Sequence, residues 1–281
     1  MSNGESAPAS VGGQSSRNLL LRVAAAAVLA PLAIAIAYAG GWLWTALVTL
    51  VAIGLYVEWL TIVAAREGRV VAAGIVATVA AGLCLIEGWI DAAFIVLLIG
   101  VLAVAAIAQA RRGWIAGGFL YAAAAQAASV LVRLDSRNGF VALVFVLLVV
   151  WVTDIGGYFA GRSIGGPKLW PRVSPKKTWA GAIGGFVASL VVACGFVAFD
   201  LGKAASLLPL GAVLSIVSQL GDLFESAVKR RFGVKDSSNI IPGHGGLLDR
   251  LDGFVAAIIF AAILGFVRGG MDGVGRGLMV W

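Results

Sequence analysis

The chain has 281 residues, 60% of them hydrophobic and only 12% charged, with a mean hydropathy of +0.99 and a net charge of +7. A water-soluble domain of this length needs far more charge to cover its surface, so the composition excludes one and points to lipid as the solvent. The basic excess then reads as topological information and as an attraction for anionic head groups or nucleotides; no nucleic-acid partner is expected.

Residues 1–16 are small, polar and aperiodic, and are read as a disordered tail. The first apolar run, about 19–39, ends in Ala37-Tyr38-Ala39, which resembles a signal-peptidase site. It is longer than the roughly 7–15 residues of a signal-peptide core, so it is expected to be retained as a span. Further spans are predicted near 42–64, 70–86, 90–110, 114–132, 140–161, 179–199, 206–228 and 253–269. Runs this long and continuous predict helices rather than barrel strands. The fold expected is therefore an all-α, polytopic integral membrane protein of about nine transmembrane helices. Its 38 glycines suit close helix–helix approach, and Cys84 and Cys194 sit in apolar runs as small fillers.

With the N-terminus cytosolic, sixteen basic residues fall on the cytosolic side and five, Arg133, Arg137, Lys203, Arg268 and Arg276, on the other. That bias agrees with the positive-inside rule. It predicts N-terminal transmembrane helices over 17–139, a catalytic transmembrane region over 140–269 and a C-terminal tail over 270–281. Two cytosolic loops, 162–178 and 229–252, are long and rich in Gly, Pro, Lys and Arg, as functional loops tend to be.

Acidic residues number only fourteen, and Asp154, Asp222, Glu225, Asp236, Asp249 and Asp252 all lie on the predicted cytosolic side of the second half. Ionisable residues at a span are costly and point to function. Three segments carry them. Asp154 and Tyr158, four residues apart, share a helix face that ends in Gly161-Arg162. Ser174-Pro-Lys176-Lys177-Thr178 places two ammoniums and hydroxyls at a helix start, a suitable anion site. The third segment runs from Gln219 to Asp252. There, Asp222, Glu225, Ser226 and Lys229 fall at i, i+3, i+4 and i+7, and Asp249 and Asp252 form a second i, i+3 pair. Carboxylates on two helix ends joined by a Gly-rich basic loop suit a hard divalent cation and the phosphates it accompanies. His244, the only histidine, lies between glycines as a phosphate donor or a base. Glu58, inside the second span, is expected to be a structural hydrogen-bond partner away from the reaction centre.

From Ser226 to Asp252 the pattern S-x-x-K-R-x4-K-D-S-x4-P-G-H-G-G-x-x-D-R-x-D resembles the signature of phosphatidate cytidylyltransferases, the CDP-diacylglycerol synthases. The Asp154 and Ser174 segments share the resemblance, whereas the first hundred or so residues match only in character. Ala180 stands where many members carry Glu or Gln, Ser238 where Gly is expected, and Gly253 where Ser is common. The alternation of charge favours a bacterial-type inner membrane or an equivalent cytosol-facing membrane, and the resemblance implies an enzyme that joins CTP and phosphatidic acid. The products would be CDP-diacylglycerol and pyrophosphate, a step toward phospholipids. It further implies Mg²⁺, a second monovalent cation such as K⁺, and a homodimer. Carried over by position, Asp222, Asp249 and Asp252 are the metal candidates, with Asp154 and Glu225 in reserve. Asp222, Asp249 and Asp252, with Lys229 and His244 added from the residues themselves, are the catalytic candidates. Ser174, Lys176, Lys177, Thr178, Ser226, Arg230, Lys235, Asp236, Arg250, Tyr158 and Arg162 are the substrate-binding candidates.

Three rivals are weaker. Asp249-Arg-Leu-Asp252-Gly253 mimics the opening of the CDP-alcohol phosphatidyltransferase motif, but no further acid follows until Asp272. A transporter would place its acids near the midplane and repeat broken helices in both halves. A CTP-dependent polyprenol kinase would release CDP instead of pyrophosphate.

Overall fold

The computed structural model describes residues 30–238 and 245–281. Its elements in chain order are α1 (Ala30–Ala39), α2 (Gly41–Ile62), α3 (Gly68–Ile86), α4 (Ile90–Ile107), α5 (Arg112–Leu134) and α6 (Gly139–Ser163). A hairpin of β1 (Lys168–Trp170) and β2 (Ser174–Thr178) follows. The chain continues through α7 (Trp179–Ala198), α8 (Ala204–Arg231), α9 (Leu248–Gly269), a 3₁₀ turn (Met271–Gly273) and α10 (Val274–Met279). Among the described residues, eight helices, α2 to α9 without the hairpin, are long and apolar enough to cross a membrane. The chain is a multi-pass integral membrane protein. The polar tail and the first part of the span predicted at 19–39 lie outside the described residues, and α1 is that span's described end.

The packing suits lipid. Large apolar side chains such as Leu98, Ile99, Leu102, Val191 and Val267 are exposed on the outside, while polar groups turn inward. α5 is central: 72% of its most apolar stretch is buried, against 22% for α4 at the periphery. Its Ala122 to Ala128 run is nearly all alanine, which lets neighbouring backbones approach. Tyr56, Phe119, Phe145 and Leu143 fill the centre, with the Tyr56 and Phe119 rings edge to face at 5.3 Å.

The five basic residues assigned to the second side by charge all occupy one end of the bundle, at the α5–α6, α7–α8 and α9–α10 junctions. There Arg133 donates to the Ala37 carbonyl at 2.5 Å and caps the end of α1. Asp135 accepts from the backbone N–H groups of Arg137, Asn138 and Arg276, each at 2.9 Å. Burial alone would raise the Asp135 pKa, but those three donors and the Arg276 charge outweigh it and hold the carboxyl below its ordinary range.

Two sequence expectations need correction. The loop predicted at 162–178 contains the antiparallel hairpin, with Lys168 opposite Thr178 and Trp170 opposite Ser174. The loop predicted at 229–252 is shorter, because α8 runs on to Arg231 and α9 begins at Leu248. Lys229, Asp249 and Asp252 are helical residues, as their i, i+3 and i+4 spacings predicted, although the loop bounds had included them.

Candidate active site

The other end of the bundle begins with a seam between α6 and α7. A Cβ on Gly181 would stand 2.8 Å from the Gly157 carbonyl oxygen, and one on Gly185 would stand 2.5 Å from that of Thr153. Glycine at both positions lets the two helices touch backbone to backbone. This contact fixes Asp154, Tyr158 and Arg162, on successive turns of α6, against the start of α7. Arg162 Nη1 donates to the Tyr158 hydroxyl at 2.9 Å. Thr178 caps α7, its Oγ1 accepting from the Gly181 N–H at 3.1 Å. The strand that leads into this cap carries Lys176 and Lys177.

Facing the seam, α8 contributes Gln219, Asp222, Glu225 and Lys229. Lys177 forms an ion pair with Asp222, whose Oδ1 also accepts from Ser226 at 3.3 Å. Two turns further along α8, the Lys229 ammonium lies 2.6 Å from both Glu225 Oε2 and Asp249 Oδ1. Glu225 is 1% exposed and Lys229 8%. Asp249 Oδ2 also accepts from the Ser237 and Gly246 N–H groups, each at 3.0 Å, and lies 3.0 Å from the Ser237 hydroxyl oxygen. Asp252, one turn further along α9, accepts at Oδ1 from the N–H of Gly253 at 2.7 Å. It feels the negative charges of Asp222, Glu225 and Asp154. Neither Asp154 nor Asp252 has an ion-pair partner among the described residues.

These groups enclose a cavity of about 740 Å³, within the size range of small-molecule sites. Of the expected site residues, Asp154, Tyr158, Arg162, Lys176, Lys177, Thr178, Asp222, Lys229, Asp249, Arg250 and Asp252 line it. Ser226 and Glu225 stand behind that wall. Ser174 is at the far end of β2, while Arg230 is exposed in the last turn of α8 and Lys235 and Asp236 are exposed beyond its end. His244 lies outside the described residues. Thr153 and Gln219 also line the cavity and were not expected to. Gln219 stands three residues before Asp222 on the same helix face, and Thr153 directly precedes Asp154; that adjacency was the available signal.

The donor set fits a hard cation. Every side chain offering lone pairs is an oxygen donor, and two cavity carboxylates lack an ion-pair partner while repelling their neighbours. Among the described residues no three acidic, His or Cys side chains close on a single point. Mg²⁺ does not require that, because it commonly takes one or two carboxylates and completes its shell with water and substrate phosphate.

Glu58 is the largest departure from expectation. From α2 it reaches across to the second half, fully buried, and accepts four hydrogen bonds. Ser238 Oγ (2.6 Å) and the Leu247 N–H (2.8 Å) donate to Oε1. Ser237 Oγ (2.9 Å) and the Leu248 N–H (2.7 Å) donate to Oε2. It is a structural partner as expected, but of the segment that carries the site.

Comparison with known proteins gives a consistent picture. A family model described as "Cytidylyltransferase family" matches residues 20–267. A phosphatidate cytidylyltransferase of Brucella suis is 39% identical over 257 residues, covering 89% of this chain and 94% of that protein. Proteins of the same name are 45% identical over 132 residues in Haemophilus influenzae and 46% identical over 135 residues in Bacillus subtilis. These two alignments cover 45% and 47% of this chain, and 46% and 50% of the respective relatives.

Proposed function

The chain belongs to the cytidylyltransferase family, and from that premise we propose that it joins CTP to phosphatidate, giving CDP-diacylglycerol and pyrophosphate. The observation that carries this reading is the cavity at one end of a membrane bundle in which Lys176, Lys177 and Lys229 meet Asp154, Asp222, Asp249 and Asp252. A phosphatidate phosphate is already an anionic nucleophile, so the task is to bring two anions together rather than to remove a proton. Lys176, Lys177 and Arg162 supply positive charge at the open side of the cavity, where the nucleotide phosphates would lie. The exposed apolar faces of α6 and α7, with Ile155, Phe159, Ile183 and Val187, leave the acyl chains in lipid while the head group enters.

In this reading Asp222, Asp249 and Asp252 would hold Mg²⁺, with Asp154 beside them, and Lys229 offers a counter-charge shared by Asp249 and Glu225. Bound there, the cation would offset charge on the nucleotide phosphates and on departing pyrophosphate. A second, monovalent cation, assembly as a homodimer and placement in a cytoplasmic membrane belong to the same proposal. The clustering of basic residues at the cavity end supports a cytosol-facing site.

The test is a product analysis in detergent with phosphatidate, Mg²⁺ and CTP labelled separately at the α- and γ-phosphates. Label from the α-position should enter lipid while γ-label leaves as pyrophosphate, and Asp222→Ala should abolish both. Entry of γ-label into lipid would overturn the reading in favour of a lipid kinase.

A further inference from the structure

A buried carboxylate costs several kcal/mol of lost hydration and persists where its lone pairs are satisfied. Glu58 meets that condition with four donors, none of them from its own helix. The N-terminus of α9 explains the need. Its N-cap, Leu247, has no side chain to accept the first N–H groups, and no side-chain cap bond is formed locally. The Glu58 carboxylate takes that role from α2, meeting the N–H groups of Leu247 and Leu248 with negative charge at the positive end of the helix dipole.

The same carboxylate reaches the cavity by one intermediate. Ser237 Oγ lies 2.9 Å from Glu58 Oε2 and 3.0 Å from Asp249 Oδ2, and the Ser237 N–H donates to Asp249. Asp249 in turn holds Lys229. Gly246 makes room for this arrangement, since a Cβ there would come 2.6 Å from Glu58 Oε2. The first turn of α9, with Asp249 and Asp252, is thus hung from a residue of the second helix.

We infer that Glu58 is a positioning residue for the transfer reaction, setting Asp249 and Asp252 through Ser237 and the first turn of α9. The inference rests on the proposed function of the cavity. Misplacing reacting groups by about 1 Å can cost roughly a hundredfold in rate, and Glu58→Gln puts an NH₂ donor against groups that are already donors.

The test compares Glu58→Gln, Glu58→Asp, Ser237→Ala and Asp249→Ala, each purified as folded protein, for kcat and KM with CTP and phosphatidate. Glu58→Gln should lower kcat about a hundredfold while changing either KM less than about threefold, and the amides of Leu247 and Leu248 should exchange faster. Glu58→Asp, which keeps the charge, should restore part of kcat. Ser237→Ala leaves three bonds to Glu58 in place, so it should fold even where Glu58→Gln does not, and should lower kcat in the same way. Folded Glu58→Gln or Ser237→Ala with wild-type kcat, beside an inactive Asp249→Ala, would overturn the positioning role alone. Wild-type kcat in Asp249→Ala would overturn the assignment of the cavity itself.

Discussion

Lys229→Met offers the sharpest energetic test of the buried charge cluster. The ammonium stands 2.6 Å from two carboxylates, and its side chain is 10% exposed beside 2% for Glu225 and 13% for Asp249. Removing it leaves the two carboxylates unequal. Asp249 retains the Ser237 and Gly246 donors, whereas Glu225 loses the one ion-pair partner it has among the described residues. The penalty therefore falls on Glu225, and stranding one member of a buried pair costs about 3–5 kcal/mol. At roughly 2–4 °C per kcal/mol for a chain of this size, the unfolding midpoint in detergent should fall by roughly 6–20 °C. Methionine keeps most of the lysine stem, so lost packing contributes little. Adding Glu225→Gln should recover most of the loss, because it removes the stranded charge. An unfolding midpoint for Lys229→Met within about 2 °C of wild type, less than 1 kcal/mol, would refute the assignment of Lys229 as the counter-charge of Glu225.

Thr178→Ala removes the cap of α7 and should cost about 1 kcal/mol, visible as a lower unfolding midpoint that Thr178→Ser restores. Gly184→Leu should abolish recovery of a monodisperse protein, since a Cβ there collides with Ala160 and comes 3.2 Å from the Gly156 carbonyl oxygen. Gly195→Leu on the same helix, with nothing within 4 Å of its added Cβ, should be recovered like wild type. Asp135 is held below the ordinary carboxylate range, so its stabilising contribution is complete above the unfolded value of about 3.9 and is lost as the pH falls through the lower folded value. Thermal scans below about pH 4 should show wild type losing stability more steeply than Asp135→Asn, and equal slopes would mean that the three backbone donors contribute nothing.

Hydropathy is a one-dimensional property, so the spans from α2 to α9 were legible to within a few residues at most ends. The polar segments were legible because acids are scarce in such a chain, and Asp154, Lys177, Asp222, Asp249 and Asp252 do meet in one cavity. The hairpin was hidden because β1 has three residues, too few to show a period of two against an apolar background. Glu58 was visible as an oddity, but its partners lie 179 to 190 residues away, beyond any local spacing rule. The division on α8 was hidden too. Four residues predicted on one face separate into two pairs, Asp222 with Ser226 and Lys229 with Glu225, of which only Asp222 and Lys229 line the cavity. The α6–α7 seam could have been found, since Gly157 and Gly161, and Gly181 and Gly185, repeat the four-residue spacing of closely packed membrane helices.

That seam has a mechanical consequence for life in membranes of differing thickness. Two backbones in direct contact have no intervening rotamers to yield, so tilt imposed on α6 passes whole to α7. Asp154 and Thr178, on opposite sides of the contact, keep their spacing when the surrounding lipid thins or thickens. Adjustment by tilting falls instead to α4, which is 22% buried along its most apolar stretch and has the most freedom to lean. The bundle thereby separates a compliant rim from a stiff spine, and the polar cavity is built on the spine.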